Sequence, residues 1–146
     1  MKFISLFVLF LFTSSFFVHA SEIVVNGNDT MQFDVKTFEV KAGEPVTLTL
    51  KNTGKLPKIA MGHNLVVLKK GISAIAFGQK ALGAGANATN PLPDSIKDDV
   101  VANTKLLGPG ESDTIKFTAP KETGSYEFVC TFPGHFAMMR GTMTVK

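Results

Sequence analysis

One ten-residue segment gathers most of the side chains in this sequence that could do chemistry: Cys130-Thr131-Phe132-Pro133-Gly134-His135-Phe136-Ala137-Met138-Met139. It offers a thiol, an imidazole and two thioethers in one loop, with Pro133-Gly134 supplying a turn. Thiolate, imidazole and thioether form a soft donor set that selects copper over hard cations such as calcium or magnesium. Once the N-terminal leader and its His19 are set aside, His63 is the one other imidazole. Two histidines and a cysteine, with a weak thioether above them, are the set copper uses for one-electron transfer.

Each residue also has a plainer reading. A cysteine that alternates with Tyr126 and Phe128 is commonly a small core hydrophobe. Cys130 and His135 would act as nucleophile and base only with an orienting third group and an oxyanion site, and neither is found. Methionine is ordinarily filler. If the chain is extended at Met138-Met139, alternation turns only one of the pair toward a metal, leaving the other, like Met61, pointing outward. A structural zinc site would be colourless and redox-silent.

The elements that must position these residues read as strands. Val46, Leu48 and Leu50, then Ile115 and Phe117, then Tyr126, Phe128 and Cys130 recur at every second position, the period of a half-buried strand. Gly27-Asn28-Asp29, Asn52-Thr53-Gly54, Gly108-Pro109-Gly110 and Glu122-Thr123-Gly124 punctuate them as turns. Residues 64–68 predict a strand starting beside His63, and residues 141–146 the last one. Between 31 and 40 the apolar parity shifts from Met31, Phe33 and Val35 to Phe38 and Val40, which predicts two half-strands joined by a bulge or bend. Over 70–82 the period changes: Ile72, Ile75 and Ala76 fall three and four apart with Lys80 outside, predicting a short helix as a flap outside the sheets. Residues 83–93 read as an irregular loop. The pattern is all-β, a sandwich or barrel.

Residues 1–20 of the 146 read as an export signal, with Lys2 at a positive start, an apolar run from Phe3 to Phe12 and Val18-His19-Ala20 as the cleavage site. Thr13-Ser14-Ser15 breaks the run well short of the roughly twenty apolar residues a spanning helix needs. No cysteine stands near Ala20 to take a lipid. Cleavage leaves one soluble domain, 21–146. Its fourteen basic and twelve acidic residues give a net charge of about +2, scattered rather than clustered, which excludes a nucleic-acid partner. A single cysteine in an oxidising compartment forms no internal disulfide, so the thiol is buried, paired with another chain, or held by a metal. The sequons Asn28-Asp29-Thr30 and Asn87-Ala88-Thr89 matter only in a eukaryotic secretory path.

Met61-Gly62-His63-Asn64 followed by Cys130-Thr131-Phe132-Pro133-Gly134-His135 and Met139 resembles the azurins, cupredoxins with a type 1 blue-copper site. Gly27-Asn28-Asp29 with Met31-Gln32-Phe33, Leu56-Pro57-Lys58, Thr104-Lys105-Leu106 and Gly141-Thr142 extend the resemblance over nearly all of 21–146. It implies a Greek-key β-sandwich or barrel of about eight strands with the helical flap. It implies one copper ion held by His63, Cys130 and His135, with Met139 as axial ligand and the Gly62 carbonyl as a weak contact. Asn64 would tie its loop to Thr131, and the Phe132 N–H would donate to the Cys130 sulfur. Leu56, Ala60, Met61, Phe132, Pro133, Ala137 and Met138 would form an apolar ring around one edge of His135, the docking face.

The function implied is single-electron transfer by a non-enzymatic monomer. Its partners would be transient redox proteins, such as c-type cytochromes or copper/haem reductases. The setting would be the periplasm, or outside the cell where there is no outer membrane. A copper chaperone or storage protein is the alternative and needs an exposed, exchanging site; a copper oxidase needs further centres and many more histidines. Three features depart from the azurins: the disulfide is absent, Leu65 stands at the usual tryptophan position, and Asn52 stands where a further histidine titrates in azurins.

Overall fold

In the computed structural model, which describes residues 20–146, the expected export signal lies outside the described residues except for Ala20. Nine strands follow in chain order: β1 (Ser21–Asn28), β2 (Gln32–Phe33), β3 (Thr37–Val40), β4 (Pro45–Asn52), β5 (Val66–Leu68), β6 (Val100–Asn103), β7 (Ser112–Thr118), β8 (Gly124–Val129) and β9 (Arg140–Val145). They build two sheets, one ordered β2-β1-β4-β7 and the other β3-β9-β8-β5-β6. Both sheets are mixed, because β1 pairs parallel with β4 and β3 pairs parallel with β9.

The period-two residues form the core between the sheets. Val46, Leu48 and Leu50 of β4 are buried, and Leu48 lies beside Ile23 on one side and Ile115 on the other. The facing layer brings Val67, Phe128, Met143 and Val145 into the same cluster. Phe128 is fully buried, with Phe33 and Phe38 packed against it as tilted rings at centroid distances of 5.6 and 5.4 Å. These two partners come from the two half-strands, which belong to different sheets. The shift of parity between them is thus a crossover, pinned where Asp34 accepts the Asn26 amide (2.7 Å) and side-chain Nδ2 (2.6 Å).

The flap helix is present as α2, once α1 (Lys58–Met61) is counted before it, and spans Ala74–Gly83. Its buried face differs from the expected one. Ile75 is 39% exposed and Ala76 is exposed, whereas Ala74, Phe77, Gly78 and Ala81 are buried. Phe77 inserts on that face, and the small residues beside it let the helix approach the outer side of β5 and β8, where Val66, Leu68 and Val129 lie. The Ala74 N–H in its first turn donates to the Glu127 carboxylate of β8 at 2.8 Å, satisfying a donor that the helix itself leaves free. The short α1 and the 3₁₀ turns Asp94–Asp99 and His135–Ala137 were not expected from the sequence. No helix of the described residues is long and apolar enough to cross a membrane.

Phe128 holds both half-strands at once, so Phe128→Ala should lower stability by about 3–5 kcal/mol, the usual cost of deleting a buried aromatic ring. Urea unfolding measures it; a loss below about 1 kcal/mol would mean that this cluster does not join the sheets.

Candidate metal centre

The loop between β8 and β9 is a hairpin connection whose ladder continues one step beyond the strands. Past the Val129–Arg140 pair, the Cys130 N–H donates to the Met139 carbonyl at 2.9 Å. Inside that closure Gly134 takes a left-handed φ of 85°, a conformation that costs glycine little, and starts the 3₁₀ turn at His135. The His135 N–H donates to Phe132 O at 3.0 Å, and His135 O accepts from Met138 (3.1 Å) and Met139 (2.8 Å). The chain is therefore coiled, not extended, at the two methionines. Met138 still ends 52% exposed and Met139 fully buried, because the turn rotates them apart.

His63 arrives from the other side of the site. Its backbone is clamped to Leu107 by two hydrogen bonds, His63 N–H to Leu107 O at 3.0 Å and the reverse at 2.8 Å. The next residue, Asn64, locks this segment to the hairpin: Asn64 Nδ2 donates to Thr131 Oγ1 at 2.8 Å and Asn64 Oδ1 accepts the Thr131 N–H at 2.9 Å. Leu65 and Thr104 add a second reciprocal pair at 2.9 and 3.0 Å. Asn52 is buried and satisfied, donating to Leu107 O and accepting from the Gly54 N–H.

These supports bring one donor atom each from His63, Cys130 and His135 within 4.8 Å of one another, all three residues buried. Cys130 Sγ lies 3.6 Å from His135 Nδ1, and the two imidazole rings are 5.1 Å apart. Burial pushes the Cys130 thiol up to about 12, against the smaller opposing pull of the Asn64 and Phe132 amides. Burial, and then the neighbouring His63, push His135 down to about 4. Burial also lowers His63, although the Asn28 carbonyl and the Asp29 carboxylate draw it the other way. Neither ring nitrogen of His63 has a hydrogen-bond partner; the Asn28 carbonyl is too poorly placed to serve as one.

A metal ion fits what is left over. It would take the orphaned His63 imidazole and His135 Nδ1, which faces the thiol, and replace the thiol proton, which capture of the metal must release. The donor set is soft, so copper suits it and calcium or magnesium does not. Met139 packs into the same pocket: a Cβ placed on Gly27 of β1 would meet its Cε at 2.7 Å and His63 Cδ2 at 3.3 Å. Gly62, buried, immediately precedes His63.

Around the site, Leu56 (44%) and Met138 (52%) are exposed, as are Ala60 and Ala137, while Met61 and Pro133 are half-buried. Phe132 departs from the expected ring. It is 5% exposed and packs against the His135 ring at 4.6 Å, so it backs the face from within. His135 itself keeps only 3% of its surface. The sequence reading missed Ile59, 61% exposed on α1. Pro57, at the cap of α1 with its carbonyl accepting from Ala60 and Met61, was the available signal for that turn.

A model of copper binding proteins of the plastocyanin/azurin family matches residues 19–146. An azurin from Alcaligenes faecalis is 42% identical over 85% of this chain and 97% of its own length. Outer membrane protein H.8 from Neisseria gonorrhoeae is 44% identical over 83% of this chain, which spans 65% of that longer protein. Among solved structures, sodium-dithionite-reduced auracyanin from Roseiflexus castenholzii superposes with a TM-score of 0.72 at 37% identity, covering 86% of this chain and 97% of that one.

The buried, neutral His135 makes the metal-free protein sensitive to acid. The unfolded chain takes up this proton from pH 6.5 downward, the folded chain only near 4, so stability falls as pH drops through that window. The loss from His135 alone should reach about 3 kcal/mol, with His63 adding in the same direction. Denaturation midpoints that stay level from pH 7 to pH 4 would show that the imidazoles are not desolvated.

Proposed function

The chain belongs to the plastocyanin/azurin family of copper-binding proteins, and from that membership we propose that it is an exported carrier of single electrons, alternating between Cu(II)- and Cu(I)-loaded forms. The observation that carries this reading is a buried set of three soft donors within 4.8 Å of one another. His63, Cys130 and His135 converge in a buried pocket whose walls are fixed by strand pairing and the Asn64–Thr131 lock. When bound, copper supplies the one-electron couple. The chain's part is to hold its donors where both oxidation states can use them, so little needs to move when an electron passes.

Met139 would supply the weak thioether ligand, supported by its complete burial and its place beside His63. The Gly62 carbonyl would be a weaker contact on the His63 side. Asn64, Thr131 and Phe132 orient the ligands, the role that outer groups commonly play at metal sites. A copper chaperone or storage protein would hand metal over from an exposed site; here all three donors are buried.

Electrons would enter and leave beside His135, through the face made by Leu56, Ile59, Ala60, Met61, Pro133, Ala137 and Met138. A contiguous exposed apolar patch marks a contact surface, and redox encounters are small and brief. The partners are transient redox proteins such as c-type cytochromes or copper/haem reductases, met by a monomer in the periplasm after removal of residues 1–20. Where no outer membrane exists, the same signal would secrete it.

Adding Cu(II) to the metal-free protein should produce an intense blue thiolate charge-transfer band that ascorbate bleaches reversibly, and Cys130→Ser should never colour. A wild-type protein that stays colourless would sink the assignment. Met138→Lys should slow electron exchange with a redox partner about tenfold, roughly 1.4 kcal/mol, with the blue band unchanged. An exchange rate equal to wild type would discard the docking face.

A further inference from the structure

Helix α2 does more than cover the outer face of the sheet: we infer that it braces the metal loop, with Gly78 and Phe136 as positioning residues that fix where His135 and Met139 stand. The inference rests on the copper-site reading and adds a control point outside it.

Phe136 lies between the buried His135 and the exposed Ala137, yet its side chain serves neither the metal pocket nor the surface face. It packs into the second apolar cluster, which holds Phe77, Ala74 and Ala81 of α2. The contact is closest at Gly78. A Cβ built there would stand 2.6 Å from Phe136 Cδ1 and nearer still to Cγ and Cβ. The obstruction is therefore at the root of the side chain, where no rotation of the ring relieves it. Only a shift of the Phe136 backbone would, and that backbone is bonded to His135.

The helix cannot retreat instead. Phe77 is 1% exposed, the Ala74 N–H is held by Glu127 at 2.8 Å, and Lys80 Nζ is paired with Asp99 at 2.6 Å. Glycine is also a poor helix former, so local propensity does not account for it in the middle of α2. Close approach does. From Phe136 the displacement has a direct path inward, because the His135 carbonyl holds both the Met138 and Met139 amides and the Met139 carbonyl holds the Cys130 amide.

The test compares Gly78→Ala with Gly83→Ala, a change in the same helix where an added Cβ meets nothing within 4 Å. In the metal-free protein, hydrogen exchange at the Met138 and Met139 amides should quicken by about tenfold in Gly78→Ala and stay at wild-type values in Gly83→Ala. In the copper-loaded protein, release to excess chelator should rise roughly 10- to 100-fold in Gly78→Ala, the range seen when groups supporting a ligand are disturbed. Phe136→Ala, which removes a partly exposed ring, should loosen the same two amides and serves if Gly78→Ala does not fold.

A Gly78→Ala protein that is less stable but has unaltered exchange at Met138 and Met139 would overturn the brace, since packing alone would then explain the glycine. Wild-type exchange and metal release in Phe136→Ala would overturn it equally. Because the exchange readout needs no copper, a wild type that fails to turn blue would count against the electron carrier without deciding the brace.

Discussion

The hydrogen bond from the Cys130 amide to the Met139 carbonyl extends the β8–β9 ladder past its last strand pair, and the metal centre hangs from that extra rung. With both ends of the loop fixed by a sheet, the residues between them have few conformations to choose from. His135 is placed by its own bonds to Phe132, Met138 and Met139, and so inherits the rigidity of the sandwich. The remaining imidazole, from His63, would be free to drift if its segment were only adjacent. The two-way amide lock of Asn64 on Thr131 joins the two halves of the site into one body.

The donors are groups that serve badly as free acids and bases in this setting. A thiol raised to about 12 and an imidazole lowered to about 4 are both neutral at physiological pH, so neither group places a charge in the interior. The apolar interior that makes them neutral is the same interior that Phe33, Phe38 and Phe128 fill. Desolvation therefore does two tasks: it supplies the driving force for the sandwich and keeps the donors unprotonated at nitrogen, ready for a cation that can displace a proton from sulfur.

The site was legible in the sequence to an unusual degree because 21–146 contains one cysteine and two histidines, leaving little to choose among. The strands were legible wherever one face is buried, and even the parity break between Val35 and Phe38 marked a real change of sheet. The helix was legible only as a helix. Ile75 and Ala76 suggested one face, while Phe77 flanked by glycine and alanine made the other, since small residues beside one buried ring let that side come close to β8. Four-residue α1 was too short to show a period, and with it Ile59 was missed. The separation of Met138 from Met139 was anticipated for a strand and arises instead from a 3₁₀ turn.

The pairing of β3 with β9 has a further consequence for how the molecule comes into being. Its register sets Thr37 against Thr142 and Val40 against Val145, partners roughly a hundred residues apart in a chain of this size. Such pairings close large loops before they yield any contact energy, so folding of this sandwich belongs to the slow, milliseconds-to-seconds class. The ligand hairpin lies in the same late segment. A chain emerging from a ribosome or translocation pore in N-to-C order would thus complete its second sheet and its metal pocket together, only once β9 has emerged, and metal would enter a fold whose second sheet is already closed.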